Sequence, residues 1–255
     1  MSTISIITPT KHREAFFPRI AACVLSQSID WEWLIYDDSP QASAFLLELS
    51  QTDPRVRYRH EPNGLASLGQ KRNELIAQAR GTFIAHFDDD DYYAPNYLEQ
   101  MLRTIQLEQA DFVKLASFYI LTPGNGFFGY IDLREQTGWH FTLDGNHIGI
   151  EQMTEQRRLG DDFVLFYGFS CVYRKSVWSK SPFADMNLRE DAQFAADAIR
   201  NNAKLLVLDG SDIACLHTIH PDSTSRCFAS YRLPLFLLPK LFPDPNAYSF
   251  PSLTL

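Results

Sequence analysis

Residues 83–95 read FIAHFDDDDYYAP, and this stretch decides how the rest of the chain is interpreted. Its apolar first half runs into four consecutive carboxylates, Asp88–Asp91, which repel one another and are unfavourable inside a strand or a helix. An acidic run is often only a solvated turn. Here Phe83, Ile84 and Phe87 predict a buried strand, and open parallel sheets bind ligands at the carboxyl ends of their strands. The stretch therefore favours a divalent cation at a strand end, since hard cations prefer carboxylate oxygens.

The composition of the chain argues against several classes of protein. Apolar residues make up 45% of its 255 residues, which is enough for a substantial core and argues against global disorder. Lys and Arg total 23, whereas Asp and Glu total 31, so the formal net charge is −8. General nucleic-acid binding depends on neutralising phosphates, so we expect no nucleic-acid partner. The four cysteines lack CxxC spacing and are expected to be reduced core residues: Cys23, Cys171, Cys215 and Cys227.

The two ends of the chain bear on its expected location. Residues 1–3 lead directly into a strand-like run, without the basic start of a signal peptide. No segment has the roughly 18 to 20 apolar residues needed to span a bilayer, so we expect a cytoplasmic protein. The tail, residues 229–255, is apolar and interrupted by prolines. We expect it to pack back over the domain, with peripheral contact at the inner membrane face as the less favoured alternative.

The first 110 residues alternate between two hydrophobic periods. Strands are predicted at residues 4–8, 33–36, 56–59 and 83–87, and helices at residues 14–26, 42–50, 67–79 and 95–109. This alternation is typical of a parallel, doubly wound α/β sheet. Arg72 falls on the apolar stripe of the third helix, where a guanidinium needs an anionic partner. The partner is either a carboxylate at a strand end or a ligand phosphate.

The pattern changes after Asp111. Strands are predicted at residues 112–121, 163–173, 204–209 and 213–217, and a helix at residues 187–202. Glu190 and Asp191 lie in the first turn of that helix, where the helix dipole favours carboxylates. Residues 123–162 are aromatic and contain several glycines, and we expect them to supply loops of an acceptor-side pocket. Residues 167–170, which read YGFS, either approach a bound substrate or are simply close-packed backbone.

Five short motifs in this order resemble a known family. They are ISIITPT at residues 4–10, IYDDS at 35–39, KRN at 71–73, FDDDD at 87–91 with Pro95, and RED at 189–191. Together they resemble the inverting nucleotide-sugar glycosyltransferases of family 2, over most of residues 4–226. The resemblance implies the α/β GT-A fold, a Rossmann-like, mostly parallel doubly wound sheet with a smaller, mixed acceptor-side β region. It also implies one domain over residues 1–228, with a nucleotide-binding half at 1–110 and an acceptor and catalytic half at 111–228.

Site residues follow from the resemblance by position. Asp88 and Asp90 correspond to the DxD motif, and with His220 they are the expected ligands of Mn²⁺ or Mg²⁺. His217 lies close in sequence and remains the alternative to His220. Asp191 corresponds to the general base of the family. The expected nucleotide contacts are Pro9, Thr10, Arg13, Asp38, Arg72, Asp88 and Asp89.

The implied reaction moves a sugar from a nucleotide-diphosphate donor to a glycan, a lipid-linked or another hydroxyl acceptor. A UDP-sugar is the favoured donor. Two departures from the family pattern leave the donor base open: Ser39-Pro40 replaces the common Gly-Ser, and Asp91 is a fourth aspartate.

Two other functions remain open at this stage. A nucleotidyltransferase also joins such a sheet to acidic metal ligands, but it usually carries a Gly-rich basic loop after the first strand. Here that loop, residues 8–13, reads TPTKHR and lacks glycine. A non-catalytic protein of the same fold that binds carbohydrate or nucleotide is the second alternative.

Overall fold

The architecture is built on three β-sheets with helices packed against the largest of them. The computed structural model describes residues 4–62, 64–65, 67–213, 215–223, 226–248 and 250. In chain order, its strands are β1 Ile4–Thr10, β2 Trp31–Asp37, β3 Val56–His60, β4 Phe83–His86, β5 Tyr92–Tyr93, β6 Phe112–Leu115, β7 Ser117–Thr122, β8 Phe127–Asp132, β9 Gly138–Asp144, β10 His147–Met153, β11 Val172–Arg174, β12 Leu205–Leu208, β13 Cys215–Thr218, β14 Cys227–Ala229 and β15 Tyr231–Arg232. Ala214, inside the predicted strand at 213–217, lies outside the described residues.

Seven α-helices connect or flank the described strands. They are α1 Phe17–Leu25, α2 Ala44–Thr52, α3 Leu68–Gln78, α4 Tyr97–Leu107, α5 Lys175–Lys180, α6 Glu190–Arg200 and α7 Leu238–Leu241. In the part of the chain that the structure describes, none of these helices has the length and hydropathy required to cross a bilayer.

The main sheet has the strand order β12-β6-β11-β4-β1-β2-β3. Its strands run parallel except for β11, which is antiparallel to both β4 and β6. Ile6 faces a core layer formed with α1 and α4, whereas its neighbour Ile7 faces a layer formed with α3 and α6. Successive side chains of a strand point to opposite faces, so this sheet is covered on both sides. The predicted mostly parallel, doubly wound sheet is confirmed.

Two smaller sheets form the mixed β region. One has the order β15-β8-β7-β13-β5, and the other has the order β10-β9-β14. Strand β5 immediately follows the acidic turn and pairs with β13. The turn therefore lies where the chain leaves the main sheet and enters the second one, at the carboxyl end of β4.

Three expectations for the second half of the chain were wrong. Residues 112–121 are not one strand, because the chain passes from the main sheet to the second sheet at Ala116. Residues 123–162 are not only loops, because half of them form strands β8–β10. Residues 163–173 form short 3-10 turns, and only the final β11 is a strand. In that last segment the carbonyl groups accept from side chains of distant elements, so no strand ladder is needed to satisfy them.

The described part of the C-terminal tail packs against the domain through Arg19 of α1. The buried guanidinium donates to the carbonyl oxygens of Asn246 at 3.0 Å and of Ala247 at 2.9 Å. It also donates to the carbonyl oxygen of Asp90 at 2.9 Å and to Oγ1 of Thr218. A guanidinium has five N–H donors in a fixed fork, so one side chain joins these separate segments. Residues 249 and 251–255 of the predicted tail lie outside the described residues.

We predict that Arg19→Ala destabilises the protein strongly. Three carbonyl groups and one hydroxyl lose a charged donor, which should lower the free energy of unfolding by on the order of 3 kcal/mol. Urea unfolding followed by circular dichroism measures the change. Arg103→Ala, at an exposed position of α4, should change stability by less than about 0.5 kcal/mol. Equal effects of the two substitutions would contradict the proposed role of Arg19 in packing.

Candidate active site

The acidic turn faces a cavity of about 330 Å³. Its lining combines residues from α3, from the acidic turn, from the segment before β11 and from the start of α6. The charged and backbone groups most relevant to chemistry are Arg72, Asp88, Gly168, Glu190 and Asp191. Asp88 and Asp191, predicted respectively as a metal ligand and as a base, therefore line the same cavity although 103 positions separate them (191 − 88).

Arg72 connects the two acidic segments of this cavity. Its Nη2 lies 3.6 Å from Oδ1 of Asp88, and its Nε lies 3.4 Å from Oε1 of Glu190. Its Nη1 donates to Nδ1 of His86 at 2.9 Å. Burial by itself would lower the pKa of Arg72. The negative charges of Asp88, Glu190 and Asp191 have the larger combined effect, so the pKa of Arg72 is raised. The anionic partner expected from the helical stripe is thus a pair of carboxylates.

Helix α3 brings Arg72 to this position by close packing. The hydroxyl of Ser67 caps the helix by accepting from the backbone N–H of Gln70 at 3.2 Å. Gly69 lies against the chain at Ala184, where an added Cβ would be 1.9 Å from the carbonyl oxygen. Only glycine allows this approach, which seats the first turn of the helix beside the segment that leads into α6.

The four aspartates of the turn have different surroundings. Asp88 is the most open, with 33% of its side chain exposed to the cavity. Burial nevertheless raises the pKa of Asp88 to about 7, against the opposing charge of Arg72. Asp89 is buried, accepts from Oγ1 of Thr10, and lies 3.5 Å from Nε of Arg13. Asp89 is therefore positioned by two of the predicted nucleotide contacts.

Each of the two candidate histidines pairs with a different aspartate. Nε2 of His220 lies 3.0 Å from Oδ2 of Asp90. Burial tends to raise the pKa of Asp90, but the hydrogen bond and charge of His220 outweigh it and lower that pKa. Nδ1 of His217 lies 2.9 Å from Oδ1 of the fully buried Asp91, which also accepts from the backbone N–H of Thr218 at 2.9 Å. Of the two histidines, His220 pairs with Asp90 of the DxD motif, whereas His217 lines the cavity that contains Asp88.

The donor chemistry of this turn fits a divalent cation. Within the described residues, no three His, Cys, Asp or Glu side chains converge as a ready-made metal cluster. The oxygens of Asp88 and Asp90 are nevertheless the ligand type that Mg²⁺ and Mn²⁺ prefer, and the imidazole of His220 lies beside Asp90. Burial raises the pKa of Asp88, and a nearby cation would act in the opposite direction by favouring the ionised carboxylate.

The remaining predicted nucleotide contacts lie where β1 and β2 end. Pro9 and Thr10 close β1, and Asp38 directly follows β2. Asp38 is buried between Nζ of Lys71 at 2.5 Å and Nζ of Lys11 at 3.3 Å. A second cavity, of about 520 Å³, opens beside these strand ends and is lined by His12, Arg13, Glu14, Phe17, Ser39 and Pro40. Lys71 is the first residue of the KRN motif, and its contact with Asp38 was not predicted from the sequence.

Asp191 is held by two backbone groups. Its Oδ2 accepts from the N–H of Gly168 at 2.5 Å, and its Oδ1 accepts from the N–H of Ala192 at 2.7 Å. A Cβ at Gly168 would be 2.5 Å from Cβ of Asp191, so this approach requires glycine. Tyr167 precedes it with a φ of +65°, a left-handed conformation that a tyrosine rarely adopts. The YGFS segment therefore lines the cavity and directly contacts the predicted base.

Comparison with known proteins identifies the family. The model of glycosyl transferase family 2 matches residues 5–180. The chain belongs to glycosyl transferase family 2. The glycosyltransferase EpsJ of Bacillus subtilis is 27% identical over 214 residues, which cover 81% of this chain and 58% of EpsJ. WfgD of Escherichia coli, a UDP-Glc:alpha-D-GlcNAc-diphosphoundecaprenol beta-1,3-glucosyltransferase, is 28% identical over 161 residues, 63% of this chain and 62% of WfgD.

Solved structures of other glycosyltransferases share the fold of this family 2 chain. TarS 1–349 of S. aureus in complex with UDP-GlcNAc superposes with a TM-score of 0.64 at 17% identity, covering 87% of this chain and 60% of TarS. The mannosyltransferase PcManGT of Pyrobaculum calidifontis, in complex with GDP-Man and Mn²⁺, superposes with a TM-score of 0.60 at 11% identity. The superposition covers 85% of this chain and 56% of PcManGT. The predicted GT-A fold is confirmed. The chain spans less than two thirds of the length of these proteins.

We predict that Asp91 contributes stability to this family 2 domain. Burial by itself would lower the pKa of His217. The charge and hydrogen bond of Asp91 have the larger effect and raise the pKa of His217 well above its usual value. Asp91→Ala removes the buried carboxylate that pairs with His217 and accepts from the N–H of Thr218, and it should lower the free energy of unfolding by about 3–5 kcal/mol. Urea unfolding at pH 7 measures the loss. Asp161→Ala, whose side chain is 84% exposed, should cost less than about 0.5 kcal/mol and serves as the control.

Proposed function

We propose that this protein is a metal-dependent, inverting glycosyltransferase that moves a sugar from a nucleotide-diphosphate donor to a hydroxyl acceptor. The observation that carries the proposal is the shared cavity of Asp88 and Asp191, with Arg72 buried between their two segments. A donor diphosphate needs positive charge on one side of the reacting carbon, and an acceptor hydroxyl needs a base on the other. The cavity provides candidates for both roles within one chain.

The donor side is assigned to the ends of β1, β2 and β4. Pro9, Thr10 and Asp38 would contact the nucleoside, and Arg13 with Asp89 would lie toward the diphosphate. Asp88, Asp90 and His220 would hold Mn²⁺ or Mg²⁺. When bound, the cation would stabilise the negative charge that develops on the departing nucleotide diphosphate. The mannosyltransferase neighbour that contains GDP-Man and Mn²⁺ supports a cation of this kind.

Asp191 is assigned as the general base. The acceptor oxygen attacks the anomeric carbon while Asp191 takes the hydroxyl proton, and the bond from that carbon to the diphosphate oxygen breaks. The bonding electrons leave with the nucleotide diphosphate, and this single displacement inverts the configuration at the carbon. The N–H of Gly168 holds Oδ2 of Asp191 in place, which fits a carboxylate oriented toward an acceptor. A base of this kind typically contributes about 10²- to 10⁴-fold.

We assign Arg72 mainly the role of connecting the donor side, at Asp88, with the acceptor side, at Glu190. Its side chain is only 3% exposed, and its nitrogens lie near Asp88, His86 and Glu190. It also lines the cavity, so its charge acts toward the diphosphate through a site of restricted solvent access. Within the domain, residues 1–228, we assign residues 1–110 as the donor half and residues 111–228 as the acceptor half. His220 of the second half would complete the donor side.

The nature of the donor and acceptor is supported by the relatives. The TarS complex contains UDP-GlcNAc, and the name of WfgD specifies UDP-Glc and a diphosphoundecaprenol-linked acceptor. We therefore favour a UDP-sugar donor and a glycan or lipid-linked acceptor at the cytoplasmic face of a membrane. Exposed apolar side chains of the tail support a peripheral membrane contact: Leu235, Phe236 and Leu241.

The direct test of the activity is a donor panel. The protein is incubated with UDP-, GDP- and dTDP-sugars and Mn²⁺, and the released nucleotide is identified. Release of a nucleoside diphosphate from one donor supports the transferase, and chelation with EDTA should abolish that release. Pyrophosphate as the product would favour a nucleotidyltransferase. Binding of a donor without any turnover, with or without added acceptor glycans, would favour a non-catalytic binding protein.

We predict that Asp191→Asn abolishes transfer while preserving nucleotide binding. The amide cannot accept the acceptor proton, so kcat should fall about 10²- to 10⁴-fold. Calorimetric titration with UDP and Mn²⁺ should give an affinity within about twofold of the unsubstituted protein. Asp197→Asn, on the same helix and paired with Arg200, is the matched control and should retain activity. Loss of nucleotide binding in Asp191→Asn would contradict the role of base.

We predict that Asp90→Ala weakens the dependence of nucleotide binding on the cation. Removing one of the two carboxylates of the proposed metal site should lower Mn²⁺-dependent affinity for UDP by about 10-fold or more, since ligand contacts contribute strongly to metal affinity. Titration of UDP with Mn²⁺ or with EDTA measures the effect. An unchanged difference between the two titrations would count against the DxD assignment.

A further inference from the structure

Lys114 is a buried cation that the proposed chemistry does not use. It lies on β6, between β12 and β11 of the main sheet, and its side chain is fully buried. Its Nζ donates to three backbone carbonyl oxygens, those of Leu115 at 3.3 Å, Val164 at 2.5 Å and Phe166 at 2.7 Å. A lysine has three N–H donors and no acceptor, so these carbonyls satisfy the ammonium without any carboxylate.

Two of those carbonyls belong to residues 161–170, which we call the wall segment. Phe163, Phe166, Tyr167 and Gly168 of this segment line the cavity that contains Asp88 and Asp191. The wall segment has few backbone hydrogen bonds of its own beyond its short 3-10 turns. Lys114 therefore connects the first half of the wall segment to the main sheet through the carbonyls of Val164 and Phe166.

The second half of the wall segment is fastened by other side chains. The hydroxyl of Tyr93 donates to the carbonyl of Phe169, and that of Tyr97 donates to the carbonyl of Ser170, both at 3.1 Å. The hydroxyl of Ser170 accepts from the N–H of Leu115 at 3.1 Å. Val164 and Phe166, upstream of Tyr167, depend on Lys114 for the corresponding contacts.

The stretch between these two sets of contacts carries the strained backbone. Tyr167 has a φ of +65°, and the next residue directs its N–H at Oδ2 of Asp191. A left-handed tyrosine persists only where its surroundings impose it. Lys114 anchors the chain just before this residue, and Tyr93 and Tyr97 anchor it just after. The orientation of the N–H of Gly168 thus depends on both anchors.

We propose that Lys114 is a positioning residue for Asp191, acting through the wall segment. The inference rests on the proposed function, because it takes Asp191 as the base. The ammonium holds the carbonyls of Val164 and Phe166, these fix the turn at Tyr167, and the N–H of Gly168 then holds the carboxylate at the cavity. Lys114 itself is enclosed by protein and reaches the cavity only through this segment.

The charge state of Lys114 is compatible with this role. Burial lowers its pKa to about 8, while the charges of Cys171 and Asp191 act in the opposite direction. The group is therefore mostly protonated at neutral pH and keeps three donors for its three carbonyls.

The test compares Lys114→Met with the unsubstituted protein, using the UDP-sugar that the donor panel identifies. Methionine keeps the apolar stem and removes all donors. We expect amide hydrogen exchange to accelerate in residues 161–170 and kcat to fall about 10- to 100-fold, since a displacement of about 1 Å can have an effect of this size. The donor KM and the affinity for UDP with Mn²⁺ should stay within about twofold. This separation of kcat from donor binding would not follow from a general loss of folded protein.

Two further variants keep the test decisive. Lys114→Gln retains two donors and should show an intermediate kcat, which also covers the case in which the methionine variant does not fold. Lys175→Met removes an ammonium that donates to the carbonyl of Ala79 at 2.6 Å, outside the cavity, and should leave kcat within about twofold. Unchanged kcat and unchanged exchange in both Lys114 variants would overturn the proposal. Loss of donor binding in parallel with kcat would overturn it as well.

The failure of this inference is distinguishable from the failure of the proposed function. If Asp191→Asn retained full transfer, Asp191 would not be the base, and the positioning role would be overturned with it. If Asp191→Asn abolished transfer while the Lys114 variants behaved normally, only the inference about Lys114 would be wrong. Faster exchange of residues 161–170 together with reduced kcat supports the inference.

Discussion

A single buried guanidinium makes it possible for the two acidic segments of the site to lie in one cavity. Arg72 is nearly inaccessible to solvent, and it lies between Asp88 and Glu190. Without it, the carboxylates of the acidic turn and those at the start of α6 would repel one another in a poorly solvated space. An unpaired charge at this depth is very unfavourable, so the pairing is reciprocal: the carboxylates retain Arg72, and Arg72 keeps them together. The close approach of Gly69 to Ala184 supplies the geometry that this pairing needs.

The four aspartates after β4 illustrate how one acidic run can serve structure and chemistry together. Asp91 is fully buried and joins the turn to β13 through His217 and Thr218. Asp89 joins it to the end of β1 through Thr10. These two anchored carboxylates fix the backbone of the turn, and Asp88 and Asp90 are the two members that we propose to hold the cation. Arg19 adds a third anchor by donating to the carbonyl of Asp90.

The opposite wall of the cavity is irregular in backbone but firmly held. Its carbonyl groups accept from Lys114, Tyr93 and Tyr97 rather than from a neighbouring strand. Binding and catalytic groups are commonly found on such segments, positioned by a rigid scaffold. In this arrangement the N–H of Gly168 points at Asp191. In a regular strand, the same N–H would donate to a neighbouring strand. Irregular backbone here is thus the means by which the site orients the proposed base.

The sequence alone determined the alternation of strands and helices over residues 1–110 and the position of the acidic turn after β4. These features depend on local hydrophobic periodicity, which is visible without knowing what lies nearby in space. Only the tertiary structure decided that Asp90 pairs with His220 whereas Asp91 pairs with His217, and that residues 163–171 are not a strand. The physical reason is the same in each case, because the partners are far apart in the sequence. Lys114 is 50 positions from Val164 and 52 from Phe166, and the two histidines are 126 and 130 positions from their aspartates. Apolar and aromatic residues predict burial, but they do not reveal whether a strand or distant side chains will satisfy the backbone carbonyls.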